Sequence, residues 1–227
     1  MRILEGQAIL VTGASGGLGE AVTRGFLDAG AKVAGVARKV QPGSHRRFTA
    51  VQADLSEPGE AQRAVGETID HFGRLDGVVH LMGGFAGGTR AEETPREMFE
   101  SMLALNFHSA VAVFGAALPT LRASGRGRLI AVGSRAAEHP VSGVAAYAAS
   151  KAALASLIRS IAAENKRSGI TANLIQPATI DTPSNRASMP DADFATWTQP
   201  AHIAELMVWL CSDAAAHING VVLPFNG

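Results

Sequence analysis

The chain has a single cysteine, Cys211, so no disulfide can form within it, and a small cross-linked extracellular scaffold is excluded. It has no charge excess. Twenty Lys and Arg balance twenty Asp and Glu, which leaves nothing to favour a nucleic-acid backbone or an anionic membrane surface. No uninterrupted apolar stretch reaches membrane-spanning length, and the start, Met1-Arg2-Ile3-Leu4-Glu5-Gly6, shows no signal-peptide pattern. Linker-like, low-complexity and repeated segments are also missing. These absences predict a cytoplasmic protein with a small-molecule substrate and with neither nucleic acid nor membrane as a partner. What is present is a globular composition, 47% hydrophobic and 18% charged over 227 residues, enough for one sizeable core and read as one domain over residues 1–227.

Short apolar runs alternate with longer helical patterns. Strands are expected at Ala8–Val11, Lys32–Val36, Phe48–Gln52, Gly77–Met82, Leu129–Val132, Ile170–Ile175 and Gly220–Pro224. Helices are expected over Leu18–Ala29, about Glu57–Phe72, a long segment opened by Thr94-Pro95-Arg96-Glu97, Tyr147 to about Lys166, and Gln199–Cys211. The third of these starts with a capping box that places proline at the first helical position. The alternation predicts an α/β fold, a doubly wound parallel sheet of about seven strands with helices on both faces. The segment Arg38–Arg47 is too short for a full crossover helix and contains Pro42 and Gly43. The helix from Tyr147 is apolar or small nearly all round, which predicts a homodimer or homotetramer through the helices around 94–123 and 147–166.

One constellation carries chemistry. Tyr147 and Lys151 lie four apart, on one helix face, and Ser134 lies at the end of the run Arg128–Gly133. Ligands of open α/β sheets bind at the carboxyl ends of strands. An ammonium near the phenol is expected to lower its pKa from about 10 and make it a usable general acid or base. Thr12-Gly13-Ala14-Ser15-Gly16-Gly17-Leu18-Gly19 follows the first strand and opens the first helix, as a pyrophosphate-binding turn requires. The second strand ends Val36-Ala37-Arg38-Lys39 with no acid. A carboxylate there would repel a 2′-phosphate and Arg38 can pair with one, so NADP(H) is preferred, with NAD(H) as the alternative. Asp54 follows the third strand and either meets the adenine or serves as an ordinary helix-entry residue before Ser56. Cys211 is read as a core residue.

Thr12-Gly13 with Gly17 and Gly19, Asp54, Asn106, Ser134, Tyr147, Lys151 and Pro177–Thr182 together resemble the short-chain dehydrogenase/reductase family over essentially the whole chain. The resemblance implies an NADP(H)-dependent oxidoreductase. Tyr147 would exchange the substrate proton, Lys151 would tune it and hold the nicotinamide ribose, Ser134 would hold the substrate oxygen, and Asn106 would order a water linking Lys151 to solvent. It implies cofactor contacts from Gly13, Ser15, Gly16, Gly17, Leu18, Gly19, Arg38, Asp54, Leu55, Gly83, Tyr147, Lys151, Pro177, Thr179, Ile180 and Thr182. The family's usual Asn-Asn-Ala-Gly after the fourth strand is replaced by His80-Leu81-Met82-Gly83, and Ala178 stands where a glycine is usual.

Two segments, Gly83–Gly88 and Asp181–Phe194, are similar to those of the quinonoid dihydropteridine reductases, which makes a pterin reductase an alternative. That group prefers NADH and lacks a serine like Ser134. Phe85, Met189, Phe194 and Trp197 are candidate pocket walls around a substrate loop at about 183–198, with burial in a core or interface the competing reading. A catalytically silent nucleotide-sensing protein is a third reading; the presence of Ser134, Tyr147 and Lys151 together weighs against it.

Overall fold

The computed structural model describes residues 2–226. Seven strands form one sheet in the order β3-β2-β1-β4-β5-β6-β7: β1 Ala8–Thr12, β2 Lys32–Ala37, β3 Phe48–Gln52, β4 Gly77–His80, β5 Gly127–Val132, β6 Ile170–Pro177 and β7 Val222–Phe225. All neighbours pair in parallel. A parallel sheet is covered on both faces, and β1, β4 and β6 are accordingly buried at every position. One face carries α1 (Gly17–Asp28) and α7 (Pro200–Cys211) over a core that includes Ile9, Val33, Phe26 and Met207. The other carries α2 (Glu60–Phe72), α4 (Ser109–Ser124) and α5 (Ala145–Glu164) over Leu10, Val78, Phe114 and Ile158. Chain order reverses between β1 and β4, and the crevice outside their carboxyl ends is where such sheets bind ligands.

The sequence pattern and the structure differ in ways that have local causes. The segment Arg38–Arg47 forms no helix, and β2 reaches β3 through a loop alone. Helix α2 begins at Glu60 rather than near Glu57, because Gly59 at φ 83° sets a left-handed N-cap and Asp54 to Glu57 closes a separate turn. The expected capping box at Thr94 does not form. Thr94 Oγ1 instead donates to the Arg90 carbonyl at 2.8 Å, Pro95 occupies the N-cap, and α3 runs Arg96–Leu103. A π-helical segment, Ala104–His108, joins α3 to α4 and has no counterpart in the sequence reading. The helical run Arg96–Ser124 is long and apolar enough to cross a membrane, yet Val113, Phe114, Ala117 and Leu121 on it are buried in the core. Cys211 is fully buried, and burial pushes its thiol up to about 12.

Candidate active site

The glycine turn shapes the crevice. Gly13 has φ +67°, and a Cβ there would sit 3.1 Å from the Met82 amide nitrogen, so β1 and the segment after β4 approach more closely than a side chain allows. A Cβ on Gly19 would lie 2.1 Å from the Gly13 carbonyl, which forces glycine where α1 crosses the turn. Gly16 is the N-cap of α1 and supplies no side-chain cap, which leaves the first-turn N–H groups free for an anion. These features fit a dinucleotide pyrophosphate, which the free backbone N–H groups at the start of α1 would hold, while the Gly16 N–H closes the turn onto the Gly13 carbonyl. The loop after β6 closes over the turn, since a Cβ on Gly17 would meet Thr182 at 3.1 Å. A cavity of about 490 Å³ adjoins the turn, lined by Ser15, Lys39, Ser44 and His45 among others. Lys39 lies on this cavity, and Arg38 is exposed at the end of β2.

Asp54 is engaged locally. Its Oδ1 accepts from the Ser56 hydroxyl at 2.5 Å and from the Ser56 amide at 3.1 Å. These bonds, with Arg38 nearby, hold its carboxyl below the usual range. The Leu55 side chain is buried in the core, so only its backbone can face a ligand.

Tyr147 lies in the first turn of α5 and Lys151 one turn on. Ser134 follows β5 after Gly133, with Oγ accepting from the Ala136 amide at 3.2 Å. Burial raises the Tyr147 phenol above its ordinary value, and the Ser134 hydroxyl beside it pulls the other way. The expected lowering by Lys151 is not seen. Lys151 Nζ lies 6.0 Å from the Tyr147 ring centre and donates to the Val132 carbonyl at 2.9 Å. Lys151 is 5% exposed, and burial lowers it from 10.5 to about 8.

Asn106 sits in the π-helical segment and is fully buried. Its Oδ1 accepts from the Gly84 amide at 2.9 Å, and its Nδ2 donates to the Gly84 carbonyl and to Ser150 Oγ, both at 3.0 Å. The Asn106 side chain is thus committed to clamping the loop after β4. A Cβ on Gly83 would meet Asn106 Oδ1 at 2.6 Å and Lys151 Nζ at 3.2 Å, which explains the glycine and places Gly83, Asn106 and Lys151 together.

The candidate pocket walls divide. Phe85 is 66% exposed and meets Tyr147 edge to face at 5.0 Å. Met189 is exposed. Trp197 is 7% exposed beneath Phe194, with ring centres 4.8 Å apart, so it supports the loop rather than lining a pocket. The loop is tied down by groups that the sequence reading did not single out. Asp181 accepts from Arg186 at 2.5 and 2.7 Å and from Gln199 Nε2 at 3.0 Å, and those bonds lower its carboxyl to about 2. Arg186 also stacks on the Phe194 ring at 4.6 Å. Thr179 accepts the Thr198 amide through its carbonyl, Ile180 bridges Thr198, and the Thr182 hydroxyl caps the short helix α6 (Pro183–Ser188). Pro177 ends β6 opposite Phe225. A buried relay of hydrogen bonds runs through Thr12, His80 and Ser109 beneath the crevice.

Comparisons with known proteins agree with this architecture. The family model "short chain dehydrogenase" matches residues 7–193. The mouse L-fucose dehydrogenase is 32% identical, covering 92% of this chain and 83% of its own. The 2-(R)-hydroxypropyl-CoM dehydrogenase of Xanthobacter autotrophicus is 28% identical over 96% of each chain. The 3-ketoacyl-(acyl-carrier-protein) reductase of Brucella melitensis, solved with NADH, superposes with TM-score 0.89 at 28% identity, covering 99% of this chain and 98% of its own. Seven parallel strands in this order, a glycine turn opening onto the switch point, and a family match over most of the chain lead to one conclusion: this protein is a member of the short-chain dehydrogenase/reductase family, an NAD(P)-dependent oxidoreductase.

Proposed function

We propose that the enzyme interconverts a carbonyl and an alcohol with NADP(H), and that Tyr147 moves the proton. The observation that carries this reading is the convergence of the Tyr147 phenol and the Ser134 hydroxyl at the carboxyl end of β5, with Lys151 buried behind them. The bound dinucleotide supplies the hydride chemistry. Ser134 donates a hydrogen bond to the substrate oxygen and orients it. Tyr147 O–H gives its proton to that oxygen as negative charge develops there. A phenol raised by burial stays protonated at neutral pH, which suits a proton donor to a carbonyl oxygen. Lys151 places a cation within the site without making a direct bond to the phenol.

The absence of an acid at Ala37, exposed Arg38 and the position of Lys39 on the cavity beside Ser15 support a cofactor with a 2′-phosphate. Arg38→Asp should lower the NADPH-over-NADH ratio of kcat/KM by about 10-fold to 100-fold, the worth of a charged hydrogen bond replaced by repulsion. An unchanged ratio would refute the role of Arg38.

One observation favours a second substrate class. The exposed face of Phe85, set edge-on against Tyr147, offers a flat apolar surface for a planar ring such as a quinonoid dihydropterin. Turnover of that compound that survives Ser134→Ala would support it.

The outer faces of α4 and α5 are exposed and small or apolar, at Val111 and Gly115 and at Ala149, Ala152 and Ser156. They fit a helix-to-helix interface in a homodimer or homotetramer. Sedimentation at micromolar concentration is expected to show no monomer peak; a monomer would contradict this assembly.

A further inference from the structure

We propose that His80 is a positioning residue that locks the cofactor crevice to the π-helical segment carrying Asn106, acting as a neutral imidazole with its proton on Nε2. The inference rests on membership of the enzyme family and on a dinucleotide binding at the switch point between β1 and β4.

The hydrogen-bond directions follow from one end of the chain of contacts. Ser109 Oγ lies 2.7 Å from the Leu105 carbonyl, which can only accept, so Ser109 spends its proton there. The Ser109 oxygen is then an acceptor for His80 Nε2–H at 3.2 Å. His80 Nδ1, left without a proton, accepts the Thr12 hydroxyl at 3.0 Å. With its proton directed at His80, Thr12 Oγ1 accepts from the amides of Leu81 and Met82 at 3.1 and 3.2 Å. Every member is satisfied in this direction. The opposite tautomer would set His80 Nε2 and Ser109 Oγ, both acceptors, against each other.

The two ends of the relay are the two parts of the site. At one end, Thr12 precedes the glycine turn, and its bonds fix Leu81 and Met82 where Gly13 approaches them most closely. At the other, Ser109 closes the π-helical segment: its amide reaches back five residues to Ala104, and its hydroxyl takes the Leu105 carbonyl. Leu105 is next to Asn106, which clamps Gly84 and Ser150. A one-residue shift of the segment would move both. His80 is 1% exposed, and its ring packs against Phe114 with centres 5.7 Å apart, so the ring has no freedom to turn away. Burial lowers its pKa to about 3, with the Lys151 charge adding to the effect, which keeps the imidazole neutral.

The test has three parts, of which the first two, ring protonation and cofactor binding, do not depend on knowing the substrate. In ¹⁵N-histidine-labelled protein, with the His80 signals assigned by their loss in His80→Asn, a neutral Nε2–H ring unchanged between about pH 5 and pH 8 is expected. An Nδ1–H ring, or a ring that titrates in that interval, overturns the proposal. Equilibrium binding of NADPH and of NADH to the variants reads the first end of the relay. His80→Ala should weaken both by about 10-fold or more, and His80→Asn, which can still accept from Thr12, should restore binding to within a few-fold. Ser109→Ala cuts only the second end. It should leave cofactor dissociation constants within a few-fold, while kcat falls about 10-fold or more as Asn106 loses its register. A folded His80→Ala protein that binds both cofactors as the parent does, or a Ser109→Ala protein with unchanged kcat, overturns it. Because both cofactors are titrated, a mistaken NADP(H) preference would show as a parent affinity order and not as a failure of the relay.

Discussion

Tyr147→Phe is expected to lower kcat by about 10³-fold while leaving NADPH affinity within a few-fold of the parent, because the change removes one proton donor and little else. The phenol ring packs edge-on with Phe85, and a phenylalanine keeps that contact. Retained turnover would refute the proton-transfer role. Tyr147 is the only tyrosine in the chain, so phenolate absorbance reports this residue alone. The titration should show ionisation above the ordinary value of 10.0, since burial outweighs the Ser134 hydroxyl. A midpoint below that value would mean that Lys151 governs the phenol after all.

The second large effect is at Lys151, where activity and stability should move in opposite directions. Its ammonium is buried and donates to one carbonyl, and burial lowers it to about 8. The folded state therefore binds this proton less tightly than the unfolded chain. Stability from this group rises as pH rises from about 8 toward 10.5, and below that window the buried charge is a standing penalty. Lys151→Met removes the penalty at neutral pH and leaves only the Val132 carbonyl without its donor. A net gain of about 1–3 kcal/mol is expected, read as a Tm higher by several degrees. Turnover should fall by at least about 100-fold, as expected for loss of a charge that acts in a water-poor site. In the parent, the reductive rate should decline as pH rises through about 8, where the ammonium is lost, and Lys151→Arg should move that decline to higher pH. A less stable Lys151→Met protein, or a rate that holds through that range, would contradict this account of the residue.

The sheet was legible because its evidence is periodic and local: short apolar runs at Ala8, Lys32, Gly77 and Ile170 separated by helical patterns, with a glycine turn at the first crossover. The site residues were legible as types at spacings, and the fold brings Ser134, Tyr147, Lys151, Gly83 and Asn106 to the same end of the sheet. What they bond to was not legible. The spacing of Tyr147 and Lys151 predicts a shared helix face, yet Nζ finds the Val132 carbonyl on a neighbouring strand, and burial rather than charge then sets the phenol. The capping box at Thr94 failed because the helix starts one residue later than the pattern implies, with Pro95 at the N-cap, and the Thr94 hydroxyl turns back to the Arg90 carbonyl. The Asn106 side chain bonds to Gly84 and Ser150, partners that no spacing announces, and the π-helical turn that aims it leaves no mark in the pattern of apolar residues. Trp197 could not be told from a pocket wall until Phe194 was seen lying over it. His80 was visible only as a departure from a familiar motif, and its meaning came from the partners at both ring nitrogens.

The most direct test of the account is NADPH oxidation by the purified protein, offered a panel of ketones and β-ketoacyl thioesters beside quinonoid dihydropterin, each repeated with NADH and with Tyr147→Phe. The account predicts turnover of carbonyl compounds, faster with NADPH than with NADH and lost in the variant. Turnover confined to the pterin, or carbonyl turnover that survives in Tyr147→Phe, would contradict it.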